Sequence, residues 1–410
     1  MKKFSDYIYE SLYDEYFKLS DDAKKQLLEL DLEYGEIALI ARYETVVREV
    51  SNIDEEYDKF MDAHSHGDKY YPTLKYKSLK YVKYNLHDKC KKLLAKFADF
   101  NCYLSKYYIQ KLKGIINKIN YLDELKNASA LYNISSEKIN AFDTETLDYA
   151  FDIVKNQPYE EIDKTISKYQ KSINADEAAE IIEQELSNLG YDWTIIKRPN
   201  MLPRMGVNPE KTFRIKSSSK FSEVDIQSLI AHEIKAHVAK RYYGYKTGLF
   251  LFVFGLDGKN LFDEGLAIWN TLNISKEHKP NPLFTIALSY IVCYYCSIYD
   301  FNEAFDKLHD LVDGKRSDKT IFRSLIRAKR SVIKTDRLGY WSGDLDYFKG
   351  YLLVDKMTDE ERDDILKYNV GLNDIFDLDN IKKFIEINNF KEIENWKLEK
   401  IKSNYEDLNE

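Results

Sequence analysis

Apolar positions recur every three or four residues along most of the chain, which is the spacing of amphipathic helices. The repeat is clear in YGEIALIARYETVVREV, residues 34–50, and again from Leu86 to about Leu131. From residue 356 onward the repeats are short and charged, with modest apolar faces. This pattern predicts a protein built mainly from helices.

Residues 191–218 have a different pattern of apolar and polar residues. Short runs of β-branched and aromatic residues are separated there by prolines and a glycine, which is typical of strands joined by turns. We predict strands at residues 193–196 and at Thr212–Lys216. The expected fold class is therefore mainly α with a small β-sheet (α+β).

A helix is predicted to follow this sheet directly. Ser222 can cap its first turn and Asp225 occupies the third helical position, as in a capping box. Phe221 can pack against Ile226 as a hydrophobic staple. Gly244 is the expected end of the helix.

This helix carries the sequence HEIKAH, in which His232 and His237 are five residues apart and Glu233 follows the first histidine. In a regular α-helix five residues turn through about 500°, so the two imidazoles would point about 140° apart. A π-type turn would bring them nearly into line, and a kink or helix end between them would also allow it. The alternative is a pair of ordinary helix histidines.

An acidic side chain lies in an apolar segment further along, in NLFDEGLAIWNTL. Glu264 is surrounded there by Leu, Phe, Ala and Trp residues, where an unpaired carboxylate is costly to bury. A bound metal ion would explain it, and so would a helix-capping acid. A rival pair, His64 and His66, has no nearby third ligand and is expected to be a surface loop.

Composition and charge narrow the possible functions. Apolar residues make up 44% of the 410 positions and charged residues 32%, which predicts a folded chain with more than one packed unit. The net charge of −8 and the lack of a long basic run argue against binding to nucleic acid or to an anionic membrane. The start of the chain has no apolar run like that of a secretory signal, so we expect a cytoplasmic protein.

The four cysteines are too few and too irregularly spaced for a disulfide framework. Cys293 and Cys296 form a CxxC inside LFTIALSYIVCYYCSIYDF, without a second CxxC to complete a zinc site. We expect buried thiols on a buried helix. The serine, threonine and tyrosines of this segment argue against a membrane span.

Two blocks together, KFSEVDIQSLIAHEIKAH and LFDEGLAIWN, resemble the tyrosine/phenylalanine carboxypeptidase family. Its bacterial members carry a QEGLA motif, and it includes the eukaryotic microtubule-associated tyrosine carboxypeptidases. A further block, WSGDLDYFKGYLLV, is similar to the family's F-T-K-D-x-x-Y-L-x-G segment. The resemblance covers about residues 70–354.

The resemblance implies that His232, His237 and Glu264 bind Zn²⁺ and that Glu233 is the general base. Two imidazoles and one carboxylate leave a zinc ion Lewis-acidic, and a nearby carboxylate can pass a proton to the leaving amine. The implied core is zincin-like, with an HExxxH helix. The predicted function is a zinc-dependent metallocarboxypeptidase that removes a C-terminal residue, aromatic in the family, from a peptide or protein.

Three places depart from the family pattern. Asp263 replaces a glutamine, Lys334 and Thr335 stand at the position of an Arg-Gly pair, and Gly343 replaces the lysine of the F-T-K-D block. Cations at the last two places are expected to bind the terminal carboxylate of the substrate. In this chain other residues must therefore bind that carboxylate.

Four residues are candidates for substrate binding. Arg330, Arg337 and Lys349 could provide the missing cations, although each could equally be a solvated surface charge. Tyr347 matches the family block and could orient a carbonyl or carboxylate. The strand Thr212–Lys216 is a candidate edge for pairing with the substrate main chain.

Two other functions remain open from the sequence. The first is a non-catalytic regulatory or interaction protein that retains a metal site, which the changes at Lys334 and Gly343 favour and the presence of Glu233 disfavours. The second is a zinc endopeptidase, which needs an open-ended cleft and no carboxylate grip.

Four segments are predicted along the chain. Residues 1–68 form an N-terminal helical region, residues 69–190 a helical scaffold, residues 191–355 the zincin-like catalytic part, and residues 356–410 a C-terminal helical tail. The polar break DAHSHGDKYYP marks the first boundary.

Overall fold

The computed structural model describes residues 17–44, 50–75, 85–124, 142–156, 169–199, 201, 203–274, 282–330 and 335–403. The helices in the first half are α1 (Asp21–Glu44), α2 (Ile53–Ser65), α3 (Leu86–Phe100), α4 (Ser105–Glu124), α5 (Thr144–Asn156) and α6 (Ala175–Asn188). The strands β1 (Thr194–Arg198), β2 (Met205–Asn208) and β3 (Thr212–Lys216) follow. A mainly helical protein with a small sheet was predicted, and this is confirmed.

The second half begins with a continuous helical run of α7 (Glu223–Leu229), a π-helix (Ile230–Val238) and α8 (Ala239–Lys246). After it come α9 (Phe250–Phe254), α10 (Asn260–Ile274), α11 (Pro282–Ile298), α12 (Phe301–Val312) and α13 (Asp318–Lys329). A 3₁₀ turn (Ser342–Asp344) leads into α14 (Leu345–Asp355), followed by α15 (Asp359–Tyr368), a second 3₁₀ segment (Leu372–Asp377), α16 (Leu378–Asn388) and α17 (Asn395–Ser403). The last four elements are short helical segments.

The sheet has the strand order β1-β3-β2. β3 pairs in parallel with β1, with Thr212 opposite Thr194, and antiparallel with β2, with Phe213 opposite Val207. Both edges of β3 are therefore occupied by neighbouring strands. The prediction that Thr212–Lys216 is a free edge for substrate pairing is wrong, because β2 is the edge on that side.

Buried side chains form two hydrophobic clusters. The first joins α1, α3, α4, α6, the sheet, α8, α9 and α15–α17. The second joins α2, α5 and α11–α13. α10 and α14 contribute to both, since Ala267 and Val354 belong to the first cluster and Ile268 and Phe348 to the second. These two helices therefore connect the two clusters. The division of the chain into four segments stays a prediction.

α11 is the apolar segment that contains the CxxC. Cys293 and Cys296 are fully buried in the second cluster, and both are free thiols. This confirms the prediction of buried core thiols on a buried helix. Within the described ranges, no helix combines the length and the apolar character needed to cross a membrane.

The start of the α7 run has the predicted capping box. The amide of Asp225 donates to Ser222 Oγ and the amide of Ser222 donates to the Asp225 carboxylate, each at 3.1 Å. The prediction that Gly244 ends the helix is wrong, because α8 continues to Lys246. A glycine is required there for another reason: a Cβ at position 244 would lie 2.6 Å from the backbone oxygen of Phe252.

A buried carboxylate holds α1 against the rest of the first cluster. Asp31 accepts hydrogen bonds from the Tyr108 hydroxyl at 2.7 Å and from the amides of Phe250 at 2.7 Å and Leu251 at 3.0 Å. The two amides belong to the first turn of α9, where donors lack helical partners. One side chain thus fixes α1, α4 and α9 relative to one another.

Candidate metal centre and adjoining cavity

The two histidines lie on the π-helix Ile230–Val238. The wider turn brings His232 and His237 to the same side, with their ring centroids 5.1 Å apart. Of the geometries considered from the sequence, the structure has the π-type turn. The helix stays continuous, since α8 follows it without a break.

Glu264 reaches the same point from α10. Its Oε2 atom lies 3.8 Å from Nε2 of His232 and 3.9 Å from Nε2 of His237. One ligand atom from each of the three residues lies within 4.8 Å of the others. Within the described residues, the buried Oε2 of Glu264 has no hydrogen-bond partner.

The position of Glu264 depends on a close crossing of α10 and α14. Gly265 packs against Gly350, and a Cβ at position 265 would lie 2.4 Å from the backbone oxygen of Gly350. Tyr347 is three residues before Gly350 and faces the cavity beside Glu264. The glycine contact therefore places one candidate ligand and one candidate substrate-binding residue at once.

Burial sets the charge states of the cluster. It lowers the pKa of His232 to about 4 and that of His237 well below its ordinary value, so both imidazoles are neutral. Burial raises the pKa of Glu264 to about 8, with Asp263 and Glu233 adding like-charge repulsion. A cation held between these residues would offset that cost.

Glu233 lies beside the cluster and is half-buried. Burial raises the pKa of its carboxyl to about 7, while the guanidinium groups of Arg241 and Arg214 act in the opposite direction. Such a carboxyl can change protonation state near neutral pH. This is the behaviour that a general base requires.

Asp263, the residue that departs from the family glutamine, has two cationic partners. Lys240 Nζ lies 3.1 Å from its Oδ1 atom, and Lys259 contacts the other oxygen. These lysines hold the pKa of Asp263 well below its ordinary value despite burial. Since Lys240 is on α8 and Asp263 on α10, the pair links the two histidines' helix to that of Glu264.

A cavity of about 570 Å³ adjoins the cluster. Its walls include Tyr34, Ala38, Ala41 and Arg42 from α1, Lys111, Gly114, Ile115 and Lys118 from α4, Met205, Gly206 and Val207 from β2, Arg214 from β3, and Tyr347 from α14. Its size falls within the range of small-ligand sites. The edge strand β2, rather than β3, is therefore the strand available beside the cavity.

The four predicted substrate-binding residues lie in different places. Tyr347 lines the cavity, whereas the other three are not among its lining residues. Arg330 is paired with Asp344 at 3.0 Å, and Lys349 lies 3.8 Å from Asp143. The backbone oxygen of Arg337 accepts a hydrogen bond from Lys329. Lys334 lies outside the described residues.

Sequence reasoning missed the cations that do line the cavity. Arg241 could have been found, because it lies four residues after His237 on the same helical run. Lys111 and Lys118 share a helix face with Gly114, which is a weak but readable signal. Arg214 could not have been found without the sheet register, which decides the face that each strand residue occupies.

Of the rival histidines, His64 lies in the last turn of α2 rather than in a loop, and His66 follows the end of that helix. His64 contacts Asp306, with its Nε2 2.9 Å from a carboxylate oxygen, and stacks on Phe60. His66 Nδ1 donates a local hydrogen bond to the backbone oxygen of Asp62 at 2.8 Å. Of the described residues, only His232, His237 and Glu264 form a group suited to a metal ion.

The fold and site define a class: a mainly helical protein with a half-buried His-His-Glu group and a neighbouring glutamate on the wall of a cavity. The particular family follows from comparison. The family model described as microtubule-associated tyrosine carboxypeptidase matches residues 59–399. The chain belongs to this family, which confirms the resemblance and indicates a carboxypeptidase that acts on a peptide or protein. No curated protein matches the chain.

Proposed function

We propose that this protein is a zinc-dependent carboxypeptidase that removes one residue from the C-terminus of a peptide or protein, with tyrosine and phenylalanine as the first residues to test. The observation that carries the proposal is the meeting of His232, His237 and Glu264 beside the half-buried Glu233. The zincin-like core of the proposal rests on the same helix, with its two histidines and the intervening glutamate.

The residues present fit a zinc ion. Neutral imidazoles and one carboxylate are the ligand types that catalytic zinc sites use. His232 and His237 are neutral because of burial, and Glu264 has a buried oxygen without a donor among the described residues. When bound, Zn²⁺ supplies Lewis-acid polarisation of a carbonyl oxygen.

The protein's own groups would carry the proton transfers. Glu233 takes a proton from the attacking water molecule and later gives it to the leaving amine. Arg241 and Arg214 favour the ionised carboxylate that must accept the first proton. Tyr347 lines the cavity, and in this proposal its hydroxyl donates a hydrogen bond to a substrate oxygen.

The edge strand β2 offers a surface for the substrate main chain. Met205, Gly206 and Val207 all line the cavity. The Val207 carbonyl already accepts a hydrogen bond from Arg42 at 3.2 Å, so pairing would use the other backbone groups of this strand. This arrangement replaces the pairing on β3 that the sheet order excludes.

The first experiment measures zinc per chain by mass spectrometry and follows amino-acid release from peptides ending in Tyr, Phe, Leu or Glu. Glu233→Gln should retain zinc and lose cleavage by at least about 10²-fold, the low end for a general base. Glu223→Gln, an exposed glutamate at the start of α7, is the matched control and should retain both.

Each other outcome has a distinct meaning. Purified protein that neither carries nor takes up zinc would remove the proposal. Zinc without cleavage of any peptide would favour the regulatory alternative. Cleavage that persists when the peptide C-terminus is amidated would identify an endopeptidase, because a carboxypeptidase requires the free end.

A further inference from the structure

One face of α4 forms part of the cavity wall. Lys111, Gly114, Ile115 and Lys118 line the cavity and are spaced by three, one and three residues, which places them on one side of a helix. At Gly114, between the two lysines, a Cβ would meet only a carboxylate oxygen of Asp257, at 3.4 Å. This wall therefore has its smallest residue between two lysines.

The cavity lining is more basic than the protein as a whole. Six basic side chains line it: Arg42, Lys111, Lys118, Arg214, Arg241 and Lys259. Four acidic side chains do so: Glu233, Asp257, Asp263 and Glu264. The lining therefore has a formal excess of two positive charges, whereas the whole chain has a net charge of −8. A cavity of this sign attracts an anionic group.

Several of these cations are already engaged. Arg42 donates to Asn208 at 2.6 Å and to Glu210 at 3.1 Å, and Lys259 contacts Asp263. Lys111 differs, because among the described residues its only hydrogen bond is a long one, 3.4 Å, to the backbone oxygen of Leu256. Lys111 has no ion pair with any of the described residues. Burial lowers the pKa of its amine to about 8.

The place where the family resemblance would put a lysine is filled differently. A Cβ at position 343 would lie 2.6 Å from the indole nitrogen of Trp341. Arg330 stacks on the same indole, 5.5 Å from its ring centre, and is paired with Asp344. This region therefore holds no cation directed into the cavity among the residues described.

We propose that Lys111 and Lys118 bind the carboxylate of the substrate in this protein, in place of cations near residues 334 and 343. The inference rests on the proposed function, because it names the subsite of the same cavity. A carboxylate would accept charge-assisted hydrogen bonds from both amines. It would also provide the ion pair that Lys111 lacks, which offsets the cost of keeping that amine away from water.

The carboxylate can come from the chain end of the peptide or from an acidic side chain next to it. Binding is measured in the Glu233→Gln background by fluorescence anisotropy, so that no peptide is consumed. The labelled peptides carry either a free or an amidated C-terminus, and either Glu or Gln at the penultimate position. Lys111→Met/Lys118→Met is compared with the parent, with Lys111→Arg, and with Lys113→Met, an exposed lysine on the same helix.

The double variant should bind the free, Gln-containing peptide at least about tenfold more weakly, the loss expected for a charge-assisted hydrogen bond. Amidation of the peptide C-terminus should weaken binding to the parent by the same factor and weaken binding to the double variant little further. If the parent instead loses affinity when the penultimate Glu is replaced with Gln, the carboxylate that the lysines bind belongs to the side chain. Lys111→Arg should retain most of the binding, and Lys113→Met all of it.

The proposal is overturned if the double variant discriminates among the four peptides as the parent does, or if the parent itself does not discriminate. Thermal unfolding of each variant shows whether a loss reflects misfolding. The two hypotheses fail separately. Lysine-dependent binding without any cleavage would overturn only the carboxypeptidase, and cleavage with unchanged KM in the double variant would overturn only the subsite.

Discussion

The crossing of α10 and α14 allows a sharp test of how packing positions the site. We expect Gly265→Ala to separate the two helices, because its Cβ would lie 2.4 Å from both the carbonyl carbon and the oxygen of Gly350. Ordinary carbon–oxygen contacts are about 3.3–3.6 Å. The backbones must therefore move apart by about 1 Å, since neither atom belongs to a flexible side chain.

This movement acts directly on the site. Gly265 follows Glu264, and Gly350 is one turn beyond Tyr347. Metal-ligand distances tolerate about 0.2 Å, and a misplacement of about 1 Å can lower a rate by about 10²-fold. We expect zinc affinity to fall by at least about tenfold, kcat/KM by about 10²-fold, and the free energy of unfolding by about 1–3 kcal/mol.

The assay combines competition with a chromophoric chelator, peptide cleavage, and denaturant unfolding of the metal-free protein. Gly114→Ala is the matched control: it is also a helical glycine, and its Cβ would meet Asp257 at an ordinary 3.4 Å. It should raise stability by about 0.5–1 kcal/mol through helix propensity and leave zinc affinity unchanged. A Gly265→Ala protein as stable as the parent, with the same zinc affinity, would refute the reasoning.

Three further predictions concern charged groups. Asp31→Ala should lower the free energy of unfolding by about 3 kcal/mol or more, because it leaves three buried donors without an acceptor. A loss below about 1 kcal/mol in denaturant unfolding would contradict this prediction. Asp263→Asn should cost about 3 kcal/mol by leaving buried Lys240 without its ion pair. Adding Lys240→Met should recover most of that loss, and additive losses in the double-mutant cycle would show that the pair is not coupled. Peptide binding in the Glu233→Gln background should weaken as the pH rises through about 8, because Lys111 loses its positive charge. The charged groups near Lys111 are Lys118, Lys259, Asp257 and Asp263. Lys111→Arg should remove the pH dependence, and binding that does not change with pH in the parent would contradict this prediction.

Local rules predicted the local parts of this site. The capping box of Ser222 and Asp225 depends on residues three apart, and the HExxxH spacing restricts the helix to a few geometries, one of which is observed. The burial of Cys293 and Cys296 followed from the apolar run around them. In each case the deciding interactions lie within one segment of the chain.

Features that depend on distant segments were not predictable in the same way. β2 is four residues long and contains a glycine, so only its pairing with β3 defines it as a strand. Four of the six cavity cations come from α1, α4 and the sheet, which are distant from one another in the sequence. Even Gly244 was assigned the wrong role, because its constraint is the nearby backbone of Phe252 rather than a helix end.

The helix α1 precedes the residues that the family model matches, yet it forms part of the cavity wall through Tyr34, Ala38, Ala41 and Arg42. Two parts of the chain with different constraints thus share one site. The residues proposed to hold a metal ion must keep their ligand atoms, whereas the face of α1 only has to leave a space of suitable shape. Substitutions on that face offer a route by which related proteins could come to accept different peptide ends while their reaction stays the same.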